Sequence, residues 1–178
     1  MVKIIDVSIR GIAPLLQHRF AGEDVTDAPL KKAGKIDYSG ESLKALYRES
    51  NGTIYQPASH IERAMVKAAA RYQIGGKGKK TYKDIFSYAI LVMPIGIPHK
   101  LQDWVIDRQP VVVQRARVMR ERPRFNQWEL DFEIHLLDDQ VKPEIVNTIL
   151  VDAGQTVGIG DYRPKYGRFM VTSFQVRK

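Results

Sequence analysis

From Trp128 to Leu136 the chain alternates without a break: Trp128, Leu130, Phe132, Ile134 and Leu136 are apolar, and Glu129, Asp131, Glu133 and His135 stand between them. A period of two with one acidic and one apolar side predicts a strand in an antiparallel sheet that is covered on one face and solvated on the other. The remaining patterns are fitted around that strand. Val2 to Ile9 is an irregular, β-rich run ended by Gly11 and Pro14, Phe86 to Ile97 is apolar with β-formers, Val111 to Met119 alternates, and Phe169 to Val176 closes the chain as a strand.

Two helical patterns interrupt the strands. In the first, Pro57 sets the start, Ser59 is an N-cap with Glu62 three residues later, and Ile61, Ala64, Met65, Ala68, Ala69 and Tyr72 recur at helical spacing. In the second, Pro143 opens the first turn and Ile145, Val146, Ile149, Leu150, Ala153 and Val157 follow. Residues 19–52 lose periodicity and hold Gly22, Pro29, Gly34, Gly40 and Gly52, so they read as a long insertion with one short helix around Ser42 to Arg48. Collapsing the extra strand leaves βαββαβ, an α+β fold with a ferredoxin-like, RRM-like core in a single domain over residues 1–178.

Charge supplies the first functional signal. With 28 basic and 20 acidic residues the net charge is +8, which favours a polyanionic partner. The cations come in blocks. Arg63, Lys67, Arg71, Lys77, Lys79, Lys80 and Lys83 follow one another with no acid between them, and six arginines lie between Arg108 and Arg124 against Glu121 alone. Arg63, Lys67 and Arg71 are spaced i, i+4, i+8 and form one helical stripe, which runs into the glycine and lysine tip carrying Lys77, Lys79 and Lys80. Arg115 and Arg117 are expected to pair across strands with Glu129, Asp131 or Glu133. Arg120, Arg122 and Arg124 crowd a turn with Pro123 and are read as phosphate contacts.

The loop from Val157 to Phe169 concentrates the same chemistry. Gly158, Gly160 and Gly167 can take positive φ and admit a close backbone, Arg163, Lys165 and Arg168 offer charge to phosphates, and Tyr162 and Tyr166 can stack on bases. Because this loop follows a helical pattern and opens a strand, neither a dinucleotide fingerprint nor a phosphate loop fits it.

Catalytic signals are weak by comparison. The chain has no cysteine, and His18, His60, His99 and His135 show no metal-ligand spacing, so neither metal nor cofactor is expected. Ser59 beside His60 at a helix start is better explained by capping than by a triad. The uncharged stretch from Ile85 to Pro98 is too short to span a bilayer and the N-terminus lacks a signal-peptide core, so the expectation is a cytoplasmic protein without a membrane partner.

Two motifs carry a resemblance. The stretch from Ile54 to Ala64, with Pro57, Ala58 and Ser59 entering the helix, resembles the proline-serine-serine helix start of the RAMP proteins, RRM-like subunits of CRISPR effector complexes, and the loop before the last strand resembles their glycine-rich loop. Arg117 to Arg120 and Gly160 to Pro164 also look like parts of small stand-alone phage and prophage proteins. The resemblance implies binding along single-stranded RNA or DNA, often as a homo-oligomeric filament, with helix and loop on the phosphates. Some RAMP subunits cleave RNA with a histidine or with an aspartate after the first strand, which would here be His18, Asp24 or Asp27. The competing classes are thus a metal-independent endoribonuclease and an assembly subunit whose basic faces meet protein. Salt separates them, since phosphate contacts weaken by roughly 0.7 in log K per phosphate and decade of salt.

Overall fold

The computed structural model describes residues 2–19, 31–32, 35–36, 40–113 and 115–177. In chain order its elements are β1 (Lys3–Gly11), β2 (Leu15–Leu16), β3 (Lys31–Lys32), β4 (Lys35–Ile36), α1 (Glu41–Lys44), β5 (Tyr55–Pro57), α2 (Ala58–Ala69), α3 (Lys83–Ala89), β6 (Ile90–Met93), β7 (Gly96–Pro98), β8 (Val105–Val113), β9 (Ala116–Phe125), β10 (Glu129–Leu136), α4 (Pro143–Asp152) and β11 (Phe169–Val176). A π-helical turn, Ala153–Val157, extends α4. The fold is α+β with antiparallel sheets.

The main sheet runs β11-β1-β10-β6, antiparallel throughout. Alternation decides its two faces. Ile5, Val7 and Ile9 of β1 lie opposite Ile134, Phe132 and Leu130 of β10, all buried, and the buried stripes of α2 (Ile61, Ala64, Met65, Ala68, Ala69) and α4 (Val146, Ile149, Leu150) join them in one core. Each fully buried large aliphatic or aromatic side chain there contributes about 1.5–3 kcal/mol of transfer energy. Trp128 anchors the sheet's end: it is 1% exposed, and its indole Nε1 donates to the Ala13 carbonyl at 2.9 Å. A Cβ on Gly11 would sit 2.2 Å from that nitrogen, so the strand can pass the ring only without a side chain.

The opposite face is polar. Asp6, Ser8 and Arg10 lie beside Glu133, Asp131 and Glu129, with Arg10 bonded to Glu129 at 2.7 Å, Lys100 to Asp131 at 2.7 Å, and Arg177 bridging Asp6 and Glu133. The acids of β10 are thus neutralised by these cations and not by Arg115 and Arg117. The reason is topological: β9 pairs with β8 and β2 in a separate sheet, order β2-β9-β8, so the expected pairing of Val111–Met119 against β10 does not occur. That run is instead two strands folded back at Arg115, whose φ is 69°, and Arg115 and Arg117 are exposed near the hairpin's end.

Three further expectations are corrected. Phe86 to Ala89 is helical, closing α3, and the apolar run becomes a strand only at Ile90. Ser59 is not a cap, because Pro57 is still paired with Gly96 and the helix begins at Ala58, whose N–H donates to the Ile95 carbonyl. Glu62 makes no capping box. Its Oε1 accepts the Val92 N–H at 2.9 Å and ties α2 to the sheet's edge strand. In the 19–52 insertion, β3 and β4 form a minimal ladder and α1 is followed by Ala45 and Leu46, both buried. Asp24 and Asp27 lie outside the described residues.

Candidate nucleic-acid interface

The glycine-rich loop is folded onto the strap that leaves β1. Gly158, Gly160 and Gly167 have φ of 72°, 77° and 72°. The close approach they permit is that of the protein's own backbone: a Cβ on Gly160 would lie 2.4 Å from the Leu16 carbonyl oxygen and one on Gly167 1.8 Å from that of Ile159. Hydrogen bonds fix the arrangement, from Gly167 N to Pro14 O at 2.8 Å, Asp161 N to Leu16 O at 2.8 Å and Ile159 N to Gly167 O at 2.9 Å, while Arg168 O accepts from Ile12 and Ala13. Ile159 is buried as the loop's plug.

What remains outside is cationic. Arg163, Lys165 and Arg168 are exposed and have no side-chain partner among the described residues. Tyr162, at φ 58° and 47% exposed, meets Tyr166 edge to face at 6.1 Å, with the Arg122 guanidinium 5.7 Å from its ring centre. Tyr166 is half-buried, and its hydroxyl accepts from Gln109 Nε2 at 2.9 Å, which ties the loop to β8. Of the two tyrosines, Tyr162 offers the more open ring.

The arginines of β9 divide differently from expectation. Arg122 is 12% exposed and its Nε lies 3.0 Å from Asp161 Oδ2, and Arg124 pairs at 2.8 Å with Asp107, a carboxylate 5% exposed. These two positions are structural anchors of the second sheet, whose acids come from β8 and the loop, where sequence proximity gave no sign of them. Arg120 is half-buried opposite Gln109. His18 stands 3.5 Å from Asp161 as well, and the proximity of His18, with Arg122's charge added, holds the Asp161 carboxyl below the usual carboxylate range.

On α2 the stripe splits. Arg63 and Lys67 are exposed and unpaired among the described residues, whereas Arg71 is held by Asp152 at 2.8 Å and by the Thr156 hydroxyl. At the tip, Lys77 donates to Gln140 at 3.2 Å, and Lys79 and Lys80 are exposed. Helix and loop meet at His60. Burial pushes its imidazole down to about 4, and the nearby charges of Arg163 and Arg63 push in the same direction. Both charges act on this one histidine at the start of α2. Beneath it lies a polar network that sequence reasoning missed: fully buried Gln17 donates to Tyr55 O at 2.9 Å and Gln56 Oε1 at 3.1 Å and accepts from Tyr47 N at 3.0 Å, while Gln56 reaches His60 Nδ1 at 2.5 Å and Tyr47 meets the His60 ring edge-on at 5.6 Å. Among the described residues no cluster of His, Cys, Asp or Glu could hold a metal ion, and no helix is long and apolar enough to cross a membrane.

Neither protein-family models nor curated protein sequences match the chain. Among solved structures, it is similar to a chain of the Type III-B Cmr-beta complex, determined by cryo-EM bound to cognate target RNA, with a TM-score of 0.60 at 14% identity. The match covers 99% of this chain and 61% of that chain, so this protein spans about three fifths of its structural neighbour. The likeness is one of fold.

Proposed function

We propose that this chain is a ferredoxin-like domain of the RAMP type that binds single-stranded nucleic acid through its phosphate backbone, RNA in preference to DNA, and assembles along the strand. The observation that carries the reading is the set of exposed cations without an acid partner among the described residues on two elements, Arg63 and Lys67 of α2 and Arg163, Lys165 and Arg168 of the glycine-rich loop. Lys67 continues the track toward the lysine tip, and Lys165 and Arg168 continue it along the loop. The strand order of the main sheet, with α2 and α4 in one core with its apolar face, supports the ferredoxin-like reading, and the fold likeness to a chain of an RNA-bound Cmr complex supports the RNA reading.

The face used by RRM modules is unsuitable here. Those modules stack bases on aromatics of the open sheet, whereas β1 and β10 present Asp6, Ser8, Arg10, Glu129, Asp131 and Glu133 on this face, with no Phe, Tyr or Trp among them. The cations of that face, Arg10, Lys100 and Arg177, are already engaged by its acids, which leaves the unpaired cations of the helix and loop side for a polyanion.

The test is fluorescence anisotropy of labelled RNA and DNA of one sequence across a salt series, with wild type and a variant carrying Arg163→Glu and Lys165→Glu. Salt-dependent binding that the variant loses while keeping its circular dichroism spectrum is expected. Retained affinity in a folded variant removes the loop from the interface, and absence of binding at low salt refutes the proposal.

A further inference from the structure

Between α2 and α3 lies an open groove of about 520 Å³ lined by Glu62, Arg63, Val66, Lys67, Ala70, Lys83, Phe86, Ser87 and Ile90. Its size falls within the range of sites for small organic ligands, roughly 300–1,000 Å³. The chemistry is segregated. Val66, Phe86 and Ile90 make an apolar, largely buried floor, and Arg63, Lys67 and Lys83 are exposed with no acid partner among the described residues. The remaining polar groups are turned into acceptors. Glu62 is a carboxylate whose Oε1 already takes the Val92 N–H, and the Ser87 hydroxyl hydrogen is spent on the Asp84 carbonyl at 2.6 Å, which leaves only lone pairs for a ligand.

A ligand that fits carries an anionic group, an apolar body and an N–H donor. We infer that this groove seats one nucleotide whose base carries an exocyclic amino group, with the phosphate on Arg63, Lys67 and Lys83 and the amino group facing Glu62 and Ser87. The inference rests on the strand-binding reading, because Arg63 belongs to both the proposed phosphate track and the groove, so a base splayed from the bound strand enters directly. Cytosine and uracil differ at the deciding position: the cytosine N4 amino group donates, and the uracil O4 accepts and would face a carboxylate. The site gives a backbone-binding surface a means of preferring some bases.

The experiment is a titration of the full ¹⁵N-labelled chain with cytidine 5′-monophosphate, uridine 5′-monophosphate and ribose 5-phosphate, read from amide shifts, beside anisotropy with an oligocytidine. Saturable shifts at Val66, Lys67 and Ser87, with the cytidine nucleotide binding at least about fivefold tighter than the other two, are expected, as is weakening by Lys83→Ala. Equal affinity for all three ligands overturns base recognition. Absence of groove shifts while oligocytidine still binds overturns the groove and leaves the strand reading standing. Nucleotide binding in the groove without oligocytidine binding upholds the site and removes the strand reading.

Discussion

His99 gives the fold a built-in sensitivity to acid. Its ring is 3% exposed and lies 4.6 Å from that of Phe125, and burial pushes its pKa from 6.5 down to about 4. The neighbours explain why a second proton is unwelcome. Its Nε2 faces the amide nitrogen of Gln17 at 3.4 Å, a donor, and its Nδ1 has no partner among the described residues, so an imidazolium would bury two N–H groups that find no acceptor among them. With the folded pKa depressed for a base, the unfolded chain binds more protons below 6.5, and stability falls as pH drops from the unfolded toward the folded value. Between about pH 7 and pH 5 the loss is about 2 kcal/mol from this residue, at 1.36 kcal/mol per unit. The perturbation is His99→Phe, which keeps a ring against Phe125 and cannot titrate. Urea denaturation at the two pH values, with the two losses subtracted, cancels any packing change that the phenylalanine introduces. A pH-dependent loss about 2 kcal/mol smaller in the variant is expected, and equal losses in both proteins would refute the claim that the buried ring is neutral.

Other outcomes follow from the interface. Replacing Arg63 and Lys67 with Ala should lower the slope of log K against log salt by about 1.4, two phosphates' worth, without lowering the melting temperature; an unchanged slope takes α2 out of the contact. Arg122→Ala should do the reverse, destabilising the fold by about 1–3 kcal/mol in chemical denaturation because Asp161 loses its cation, while the salt slope stays put. Gly167→Ala forces a side chain to φ 72° and to within 1.8 Å of the Ile159 carbonyl oxygen, so thermal melting should show a loss of roughly 1–3 kcal/mol. Tyr162→Ala should weaken oligonucleotide binding by about 1–3 kcal/mol if a base stacks there, and no change in anisotropy assigns that ring to packing alone.

The strands that alternate cleanly were legible. β10 and β11 appear where the pattern of Trp128 to Leu136 and Phe169 to Val176 puts them, and Pro143 opens α4. Errors arose where one local signal serves two structures. An apolar run such as Phe86 to Ile97 has no period to separate helix from strand, and tertiary packing made its first part a helix. Ser59 and Glu62 have the spacing of a capping box, yet the ladder of Pro57 with Gly96 already fixes the entry to α2 and frees Glu62 for Val92. For the site, the sequence showed which residues are charged but not which charges are already neutralised. Arg122, Arg124 and Arg71 look like Arg63 and Arg163 until Asp161, Asp107 and Asp152 are brought beside them from distant positions. Gln17 left no signal at all, since a polar residue that ends fully buried is chosen by partners 38 and 39 residues away.

The loop's attachment to the strap at Pro14 and Leu16 has a thermodynamic meaning. A loop whose backbone is shaped by its own protein bears its ordering cost once, during folding, and under the proposed function a strand arriving later would meet a backbone already set and would have to order only the side chains of Arg163, Lys165 and Arg168.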